Sequence, residues 1–541
     1  MRKAARSASF TMTRREMLIN SAMAAIPLLA SSAGAAQPSA PPSGNIRRGG
    51  TLVASTPWTY PTMDPHISTM GADMLGCGAI FNLLVRLQLV DAKSWEQRLV
   101  GDLAESWEQP DLSTLVFKLK SGVTFHDGSP FTAEVAAWNF LRCRDHPKSF
   151  LKSQMANLAS AEAVGKNTLR FKLKSPNAGF LWGLAKLQSG VAMVSKAAVD
   201  KLGEEGFARN PVGTGPFRFK QWITDDRLIT ERNPSYFEKG ADGKPLPYLD
   251  GFVHRYVPDP SVALVDMRAG TVHLLERVPA KDAATAKADP NLVTHELPWV
   301  GDVYFYGGFN VKQSPFNDVR VRQAALYGID REAMAKTIGF GFGSPYYYGE
   351  WARGALGYDE SIAKYEYNPA KVTELLKAAG YPDGISIELK VISREPENTI
   401  GEFVQQMWTA VGIKTRLVAM ERLAWIDAVR AMNFDTCFWR GGFGFTTGDP
   451  DTETARVACG APSNWAQWCD PDVDKQMKQG AAVVDRKKRH EAYREALRLM
   501  QERAYLYSGI AVPWVNVARK ELQGLTHSFS QPVVKSVWLR A

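Results

Sequence analysis

A glycine-rich loop, GGFGFTTGDPDT at 441–452, carries the residue types that best fit ligand binding. Arg440 comes directly before it, and Asp449 and Asp451 flank Pro450 near its end. A guanidinium offers two parallel donors to a carboxylate. Arg440 therefore either approaches an anionic group of a ligand or pairs with Asp449 or Asp451 and shapes the loop, and both alternatives stay open. Turn formation around Pro450 explains the two carboxylates.

The spacings that mark a hydrolase or a protein-only metal site are absent from the sequence. There is no Gly-x-Ser-x-Gly elbow and no His-Glu-x-x-His motif, and the eight histidines form no His-x-x-x-His pair. His295 precedes Trp299 but stands alone, so a nickel or metal-chelate site is a minor alternative. We therefore expect neither an enzyme nor a bound cofactor.

The chain has five cysteines, so at least one has no partner within the chain. Cys459 and Cys469 bracket a short Gly/Pro/Asn-containing loop and predict a disulfide that contributes roughly 2 to 3 kcal/mol. Cys77, Cys143 and Cys437 lie in apolar surroundings and are interpreted as small core residues.

The N-terminus has the form of a cleavable export signal. An apolar run at 17–30 is followed by small residues at 31–36 and is shorter than the roughly 20 apolar residues that span a bilayer. Arg14 and Arg15 resemble a twin-arginine motif, which favours export of the folded protein over the ordinary secretory route. Cleavage is predicted after Ala35 or Ala36, and residues 37–47 are predicted to be a disordered leader. We expect a soluble periplasmic protein.

Length and composition are those of a large soluble protein. The 541 residues are 45% hydrophobic and 22% charged, and the net charge is +9. The signal carries part of that charge, so the remainder is too mild to imply nucleic-acid binding. The basic run at 486–489 opens a helix whose apolar side carries Tyr493 and Leu497, and we interpret the run as a solvated face.

Periodicity predicts the elements that position the loop. Alternating apolar residues at 385–391 and 413–419 predict two strands, and helical spacing at 400–411 predicts a helix that Gly412 ends. This β-α-β unit implies a parallel strand pair covered by helices. Asn368 and Pro369 begin another helix. Because ligands bind at the carboxyl ends of strands in open α/β sheets, the loop at 441–452 is the best site candidate.

Seven segments in order resemble one large family. The stretch SPFNDVRVRQAALYGIDREAM at 314–334 predicts a helix capped by Asp318 and a second capped by Asp330. Six others accompany it: LAESWE at 103–108, FHDGSPFTAEVAAWNF at 125–140, NPVGTGPFRF at 210–219, ERNPSYFEKG at 231–240, GTVHLL at 270–275 and AKVTELLKAAGY at 370–381. Together they are similar to the extracellular solute-binding proteins of family 5, the receptors of oligopeptide, dipeptide, nickel and opine ABC importers.

The resemblance implies an α/β fold, a two-lobed periplasmic binding protein of type II, cluster C, with an extra domain inserted in lobe I. It places lobe I at 48–90, 207–301 and 509–541, the inserted domain at 91–206 and lobe II at 302–508. A ligand would lie between the lobes, which close on it by a hinge motion.

The resemblance also suggests residues of the ligand site. Phe443 stands where peptide-binding relatives have a Trp, and Thr446 stands where they have the Asp that pairs with the α-ammonium of a peptide. Arg440 matches an arginine that approaches the peptide carboxylate in some relatives. The other candidates are an extended lobe I segment and aromatic residues at the crossover into lobe II: Thr69, Met70, Gly71, Trp299, Tyr304 and Tyr306.

The function implied is that of the periplasmic substrate-binding component of an ABC importer. Such a protein is expected to act as a monomer, to capture a peptide-like, opine-like or sugar-derived solute and to deliver it to the permease subunits. A nickel or metal-chelate receptor of the same fold is the alternative, and a secreted hydrolase is disfavoured. Fold does not choose among the solutes.

Overall fold

The computed structural model describes residues 46–67, 75–91, 96–185, 190–349, 351–442, 448–451, 456–461, 463–528 and 531–540. The predicted signal and most of the leader, the segment Thr69–Gly71 and the loop residues Phe443 and Thr446 lie outside these ranges. No helix in the described ranges combines the length and the apolar composition that a membrane span requires.

The strands lie across the whole described chain, and two of them are long. In chain order they are β1 (Thr51–Thr56), β2 (Val85–Asp91), β3 (Glu96–Gly101), β4 (Ala104–Asp111), β5 (Thr114–Leu119), β6 (Leu158–Gly165), β7 (Thr168–Leu173), β8 (Phe217–Ile223), β9 (Arg227–Arg232), β10 (Gly251–Tyr256), β11 (Leu274–Leu275), β12 (Leu292–Phe309), β13 (Ser344–Pro345), β14 (Ile385–Ile392), β15 (Ile413–Met420), β16 (Thr436–Gly442), β17 (Leu506–Tyr507), β18 (Ile510–Arg519), β19 (Leu522–Gln523), β20 (His527–Ser528), β21 (Gln531–Pro532) and β22 (Trp538–Leu539).

The helices cover the faces of the sheets. In chain order they are α1 (Leu75–Ile80), α2 (Ala133–Asp145), α3 (Phe180–Gly183), α4 (Lys196–Arg209), α5 (Pro260–Arg268), α6 (Ala280–Lys287), α7 (Val319–Tyr327), α8 (Arg331–Thr337), α9 (Pro369–Ala378), α10 (Glu397–Ala410), α11 (Arg422–Arg430), α12 (Pro471–Ala481) and α13 (Arg486–Arg503), with a 3₁₀ turn at Val534–Ser536.

One large sheet runs through both lobes. Its strand order is β15-β14-β16-β12-β18-β11-β1-β10-β9-β8. We call the part from β11 to β8 the lobe I side and the part from β16 to β15 the lobe II side. The long strands β12 and β18 belong to both, and their antiparallel pairing shifts register between Leu297 and Gly301. The predicted boundaries at 301/302 and 508/509 fall within β12 and just before β18, and they stay predictions.

A separate four-stranded antiparallel sheet, in the order β4-β5-β7-β6, lies within the predicted inserted domain. Helix α2 covers it, and the rings of Phe140 and Phe171 lie 4.5 Å apart in the core between them. Arg142 on α2 makes a buried ion pair of 2.6 Å with Asp64 of lobe I. This charge pair ties α2 to the segment between β1 and α1.

The elements predicted from periodicity are confirmed. Strands β14 and β15 pair in parallel over their full length, from Ile385↔Ile413 to Ile392↔Met420, and α10 connects them. The side chains of Asp318, Asp330 and Asn368 accept hydrogen bonds from backbone N–H groups at the starts of α7, α8 and α9. These elements were predictable because each depends on local sequence and on one buried face.

The cysteines follow the predicted arrangement in the described residues. A disulfide joins Cys459 and Cys469, whose Cα atoms lie 4.5 Å apart. Cys77, Cys143 and Cys437 are buried.

Candidate functional site

The carboxyl ends of the parallel strands on both sides point toward the crossing of β12 and β18. On the lobe I side β10 and β11 pair in parallel with β1, and on the lobe II side β15 and β16 pair in parallel with β14. Beyond Leu275 the chain continues along β18 toward Trp514, and Gly442 at the end of β16 pairs with Asp302. Ligands of open α/β sheets bind outside such ends. The candidate site therefore lies at this crossing.

Arg277 stands at the lobe I edge of the site, two residues after β11. Its backbone has φ +50°, a left-handed conformation that is uncommon outside glycine and clusters at functional sites. Its N–H donates to Asn516 Oδ1 at 2.9 Å. The guanidinium carbon lies 3.7 Å from the ring centroid of Trp514 and 5.3 Å from that of Trp58. Stacking on an indole fixes the guanidinium plane, and the N–H donors in that plane suit an oxyanion.

The residue before Arg277 is held by a buried polar chain. Glu276 Oε2 lies 2.9 Å from His254 Nε2, and the Tyr60 hydroxyl lies 2.5 Å from His254 Nδ1. Burial raises the pKa of the Tyr60 hydroxyl well above its usual range, so the hydroxyl stays protonated beside the imidazole. The three side chains are buried and hold the backbone that leads to Arg277.

Sequence reasoning missed Arg277. The motif GTVHLL supports the family resemblance, but its end also marks the end of a strand. A charged residue two positions after the buried pair Leu274 and Leu275 was therefore an available signal for a site. The stacking partner Trp514 is 237 positions away and could not be identified from spacing.

The three predicted aromatic residues all lie on the crossing strand β12, in different environments. Trp299 is partly buried against the core of the inserted domain, and Tyr304 is partly buried against the core shared by the two lobes. Tyr306 is 4% exposed, and its ring lies 5.1 Å from that of Trp439. A bulge between Val303 and Tyr306 turns Tyr306 to the same face as Val303. The predicted solute contacts of these residues stay predictions.

Arg440 lies on β16, and the structure describes its backbone. Asp449 Oδ1 accepts from the N–H of Asp451 at 3.2 Å, which agrees with the predicted turn around Pro450. The two carboxylates also share a partner that the sequence did not indicate. Arg489 Nη2 lies 2.7 Å from Asp449 Oδ1 and 2.8 Å from Asp451 Oδ2, and all three side chains are buried. Tyr493 donates a hydrogen bond to Asp451.

The interpretation of the basic run at 486–489 as a solvated face is wrong for Arg489. Arg486, Lys487 and Lys488 are exposed, whereas Arg489 points inward to the two aspartates. Desolvation and the neighbouring Asp449 charge raise the pKa of Asp451 to about 6, while the same carboxylates raise that of Arg489.

The part of the chain that the structure describes contains no group of three or more His, Cys, Asp or Glu side chains placed to hold a metal ion. His295, the candidate of the metal alternative, lies beside His527, with ring centroids 5.9 Å apart. Two imidazoles alone are fewer ligands than a protein-only transition-metal site uses.

The sequence matches the profile of the bacterial extracellular solute-binding proteins, family 5 Middle, over residues 98–464. It is 29% identical over 444 residues to the glutathione-binding protein GsiB of Pectobacterium atrosepticum, covering 79% of this chain and 81% of the relative. It is also 29% identical over 446 residues to GsiB of Escherichia coli O157:H7, covering 79% and 82%.

Solved structures share the two-lobed fold. The periplasmic binding protein DppA of Helicobacter pylori, in complex with the peptide STSA, superposes with a TM-score of 0.73 at 25% identity, over 92% of this chain and 99% of that one. AgaA of A. tumefacien R10, in complex with agropinic acid, gives 0.71 at 24% identity, over 91% and 99%.

Proposed function

The chain belongs to the bacterial extracellular solute-binding proteins of family 5, and from this premise we propose that it captures a carboxylate-bearing, peptide-like or opine-like solute between its lobes for delivery to an ABC importer. The two-lobed α/β fold is that of periplasmic binding proteins. The fold alone does not fix the class of solute, which depends on the residues of the site.

The stacked guanidinium of Arg277 carries the proposal. It stands at the carboxyl edge of lobe I, on Trp514 of the crossing strand, and the backbone of Arg440 approaches the crossing from lobe II. A guanidinium held at this position suits a solute with an anionic group, because its donors match carboxylate geometry, and Arg440 remains a proposed second donor. Phe443, Thr446, Thr69, Met70 and Gly71 remain proposed contacts.

The ligands named for related proteins agree with this class. Glutathione, a short peptide and agropinic acid all carry carboxylates, and each is bound by a protein similar to this chain. A metal-chelate solute is the outcome that would replace the proposal.

The experiment is a thermal-shift screen of the purified mature protein. The panel contains reduced glutathione, trialanine, N-acetyl-trialanine, mannopinic acid and nickel chloride with histidine. A ligand at 100 times its Kd stabilises the native state by about 2.7 kcal/mol. A shift with the nickel mixture alone would contradict the carboxylate-solute proposal.

Calorimetry then tests Arg277 with the panel compound that binds most tightly. We expect Arg277→Gln to weaken binding at least 30-fold, since losing a charged partner of a buried carboxylate costs about 2 kcal/mol or more. Arg47→Gln, at an exposed position before the amino end of β1, is the matched control and should bind as the unaltered protein does. Equal affinities of the two variants would remove Arg277 from the site.

We also propose export by the twin-arginine route, cleavage after Ala35 or Ala36 and a monomeric periplasmic protein. The arginine pair and the small residues that follow the apolar run support the route and the cleavage site. Replacing Arg14 and Arg15 together by Lys should stop export, and intact mass should give the cleavage site. Normal export of that variant would favour the ordinary secretory route.

A further inference from the structure

The inserted domain touches lobe II at a small contact away from the crossing strands. Ala178 N–H lies 3.4 Å from the carbonyl of Ala481, the last residue of α12. Next to it, Gly179 packs on the turn at 449–451. A Cβ atom at Gly179 would lie 2.6 Å from Asp451 Cβ and 3.0 Å from Asp449 Oδ1. Carbon atoms of real side chains do not approach so closely, so only a glycine fits here.

The lobe II side of this contact is rigid. Asp449 and Asp451 share the buried Arg489, and Arg489 Nε also donates to the carbonyl of Gly480 at 3.0 Å. Helix α12 and helix α13 are thus tied to the turn at 449–451 by one guanidinium. A charge-assisted network of this kind holds its groups in one geometry.

The inserted-domain side is also held in place. Asn177 N–H donates to the carbonyl of Leu112 at 2.9 Å, and the carbonyl of Asn177 accepts from Gln109 Nε2 at 3.3 Å. Both partners belong to the hairpin of β4 and β5. The ion pair of Arg142 with Asp64 in turn fixes the inserted domain to lobe I. A separation of the lobes would therefore break the contact at 178–179.

We propose that the contact of residues 177–179 with the turn at 449–451 and with Ala481 is a clasp that stabilises the closed arrangement of the lobes, with Gly179 as the positioning residue that permits it. The clasp adjoins the end of the glycine-rich loop, since Asp449 and Asp451 are its last acidic residues. Closure thus sets this end of the loop against the inserted domain.

The test measures the distance between the two sides without any solute. Spin labels are attached at Lys174→Cys in the inserted domain and Lys487→Cys in lobe II, two exposed positions. The native thiols of Cys77, Cys143 and Cys437 are buried and Cys459 is in a disulfide with Cys469, so labelling is selective. Pulsed dipolar spectroscopy then gives the populations of short and long distances.

We expect the short distance of this structure in the unaltered sequence and its loss in Gly179→Ala. Overpacking of this kind lowers the ratio of closed to open molecules by about tenfold or more. Gly165→Ala is the matched control, because a Cβ atom there would meet only Thr168, at 3.8 Å. A short-distance population in Gly179→Ala equal to that of the control would overturn the clasp, as would its absence from the unaltered protein.

A second variant covers the case in which Gly179→Ala does not fold. Ala178→Pro removes the N–H that donates to the carbonyl of Ala481, and Ala178→Ser, which keeps this N–H, is its control. We expect only Ala178→Pro to lose the short distance. Equal populations in these two variants would again contradict the clasp.

This inference relies on the proposed function only for the opening and closing of the lobes. The distance measurement contains no solute, so its outcome is independent of the solute class. If the glycine variants behave as expected and no panel compound binds, the clasp stands and the proposed solute class fails.

Discussion

Arg489 shows how a single residue decides the local chemistry of a loop. Two carboxylates two positions apart would repel each other in a buried place, and the guanidinium between them compensates both charges. Burial and the neighbouring Asp449 charge still raise the pKa of Asp451, to about 6. The role of these aspartates is therefore structural, and they hold the end of the glycine-rich loop.

Replacing Arg489 tests how much its charge stabilises the fold. Arg489→Leu should lower the free energy of unfolding by about 3 to 5 kcal/mol, because it removes the guanidinium that two buried carboxylates share. Urea denaturation at pH 7 measures the change. Lys487→Ala, an exposed position on the same helix, should stay within about 0.5 kcal/mol. A loss below 1 kcal/mol in Arg489→Leu would show that water or another cation compensates the aspartates.

Thr446 carries a second residue-scale prediction, which rests on the resemblance. The resemblance aligns Thr446 with the Asp that pairs with the α-ammonium in peptide-binding relatives. The neutral hydroxyl of a threonine recovers only part of the desolvation energy of such a buried charge. N-acetylated di- and tripeptides should therefore bind more tightly than free ones, and Thr446→Asp should reverse the order. Calorimetry with matched pairs decides it. Tight binding of free peptides that acetylation abolishes would place another acid at the ammonium.

At the scale of elements, the motif NPVGTGPF has a steric cause. Gly213 and Gly215 lie against the end of α1, and a Cβ atom on either would come within 2.1 Å and 2.5 Å of backbone atoms of residues 79 and 80. Gly215 N–H also donates to the carbonyl of Ile80 at 2.8 Å. The motif thus allows two backbone segments of lobe I to touch.

Gly215→Ala should therefore destabilise the protein by about 1 to 3 kcal/mol, because backbone atoms cannot move aside as a flexible side chain can. Gly165→Ala is the control for the change in helix and strand propensity. Thermal unfolding of both variants under identical conditions gives the comparison. If the two variants have equal melting temperatures, the backbone around Gly215 accommodates a Cβ atom without loss of stability.

The disulfide loop is the second element whose contribution to the free energy of unfolding can be measured. The bond closes a loop with a sequence separation of 10 and lies beside α12, whose Asp474 accepts from Cys459 N–H at 3.1 Å. Intact mass of the exported protein under non-reducing conditions should be lower by two hydrogens than after reduction. Replacing both cysteines by Ser should cost about 2 to 3 kcal/mol in urea denaturation. Two free thiols in an oxidised sample would contradict the bond.

At the scale of the whole molecule, buried histidines couple stability to pH. Burial lowers the pKa of His66 to about 4, of His126 to about 4 and of His527 to about 3. In an unfolded chain the histidine side chains have a pKa near 6.5. Between pH 6.5 and 4 the unfolded state binds more protons, so the free energy of unfolding falls as pH falls.

We therefore predict a loss of several kcal/mol between pH 7 and pH 4.5, measured by urea denaturation. The raised pKa of Asp451 acts in the opposite direction below pH 6. His126→Asn should make the dependence on pH shallower. A free energy of unfolding that stays constant or rises over this range would show that these imidazoles are protonated in the folded protein.

Features that depend on neighbouring residues were predictable from the sequence. The caps at Asp318, Asp330 and Asn368 and the β-α-β unit at 385–420 follow from spacing, because hydrogen bonds within one turn and one buried face fix them. The bracketing of a short loop by Cys459 and Cys469 is equally local. The ordered set of seven motifs was sufficient to identify the family and, through it, the two-lobed fold.

Contacts between residues far apart in the sequence were not predictable and became evident from the fold. Arg489 reaches Asp449 across 40 positions, Arg277 reaches Trp514 across 237, and Gly179 meets the turn at 449–451 across more than 250. Periodicity reports which face of an element is buried but not which element covers that face. The long strands β12 and β18 carry the chain from one lobe to the other, and their path brings these residues together.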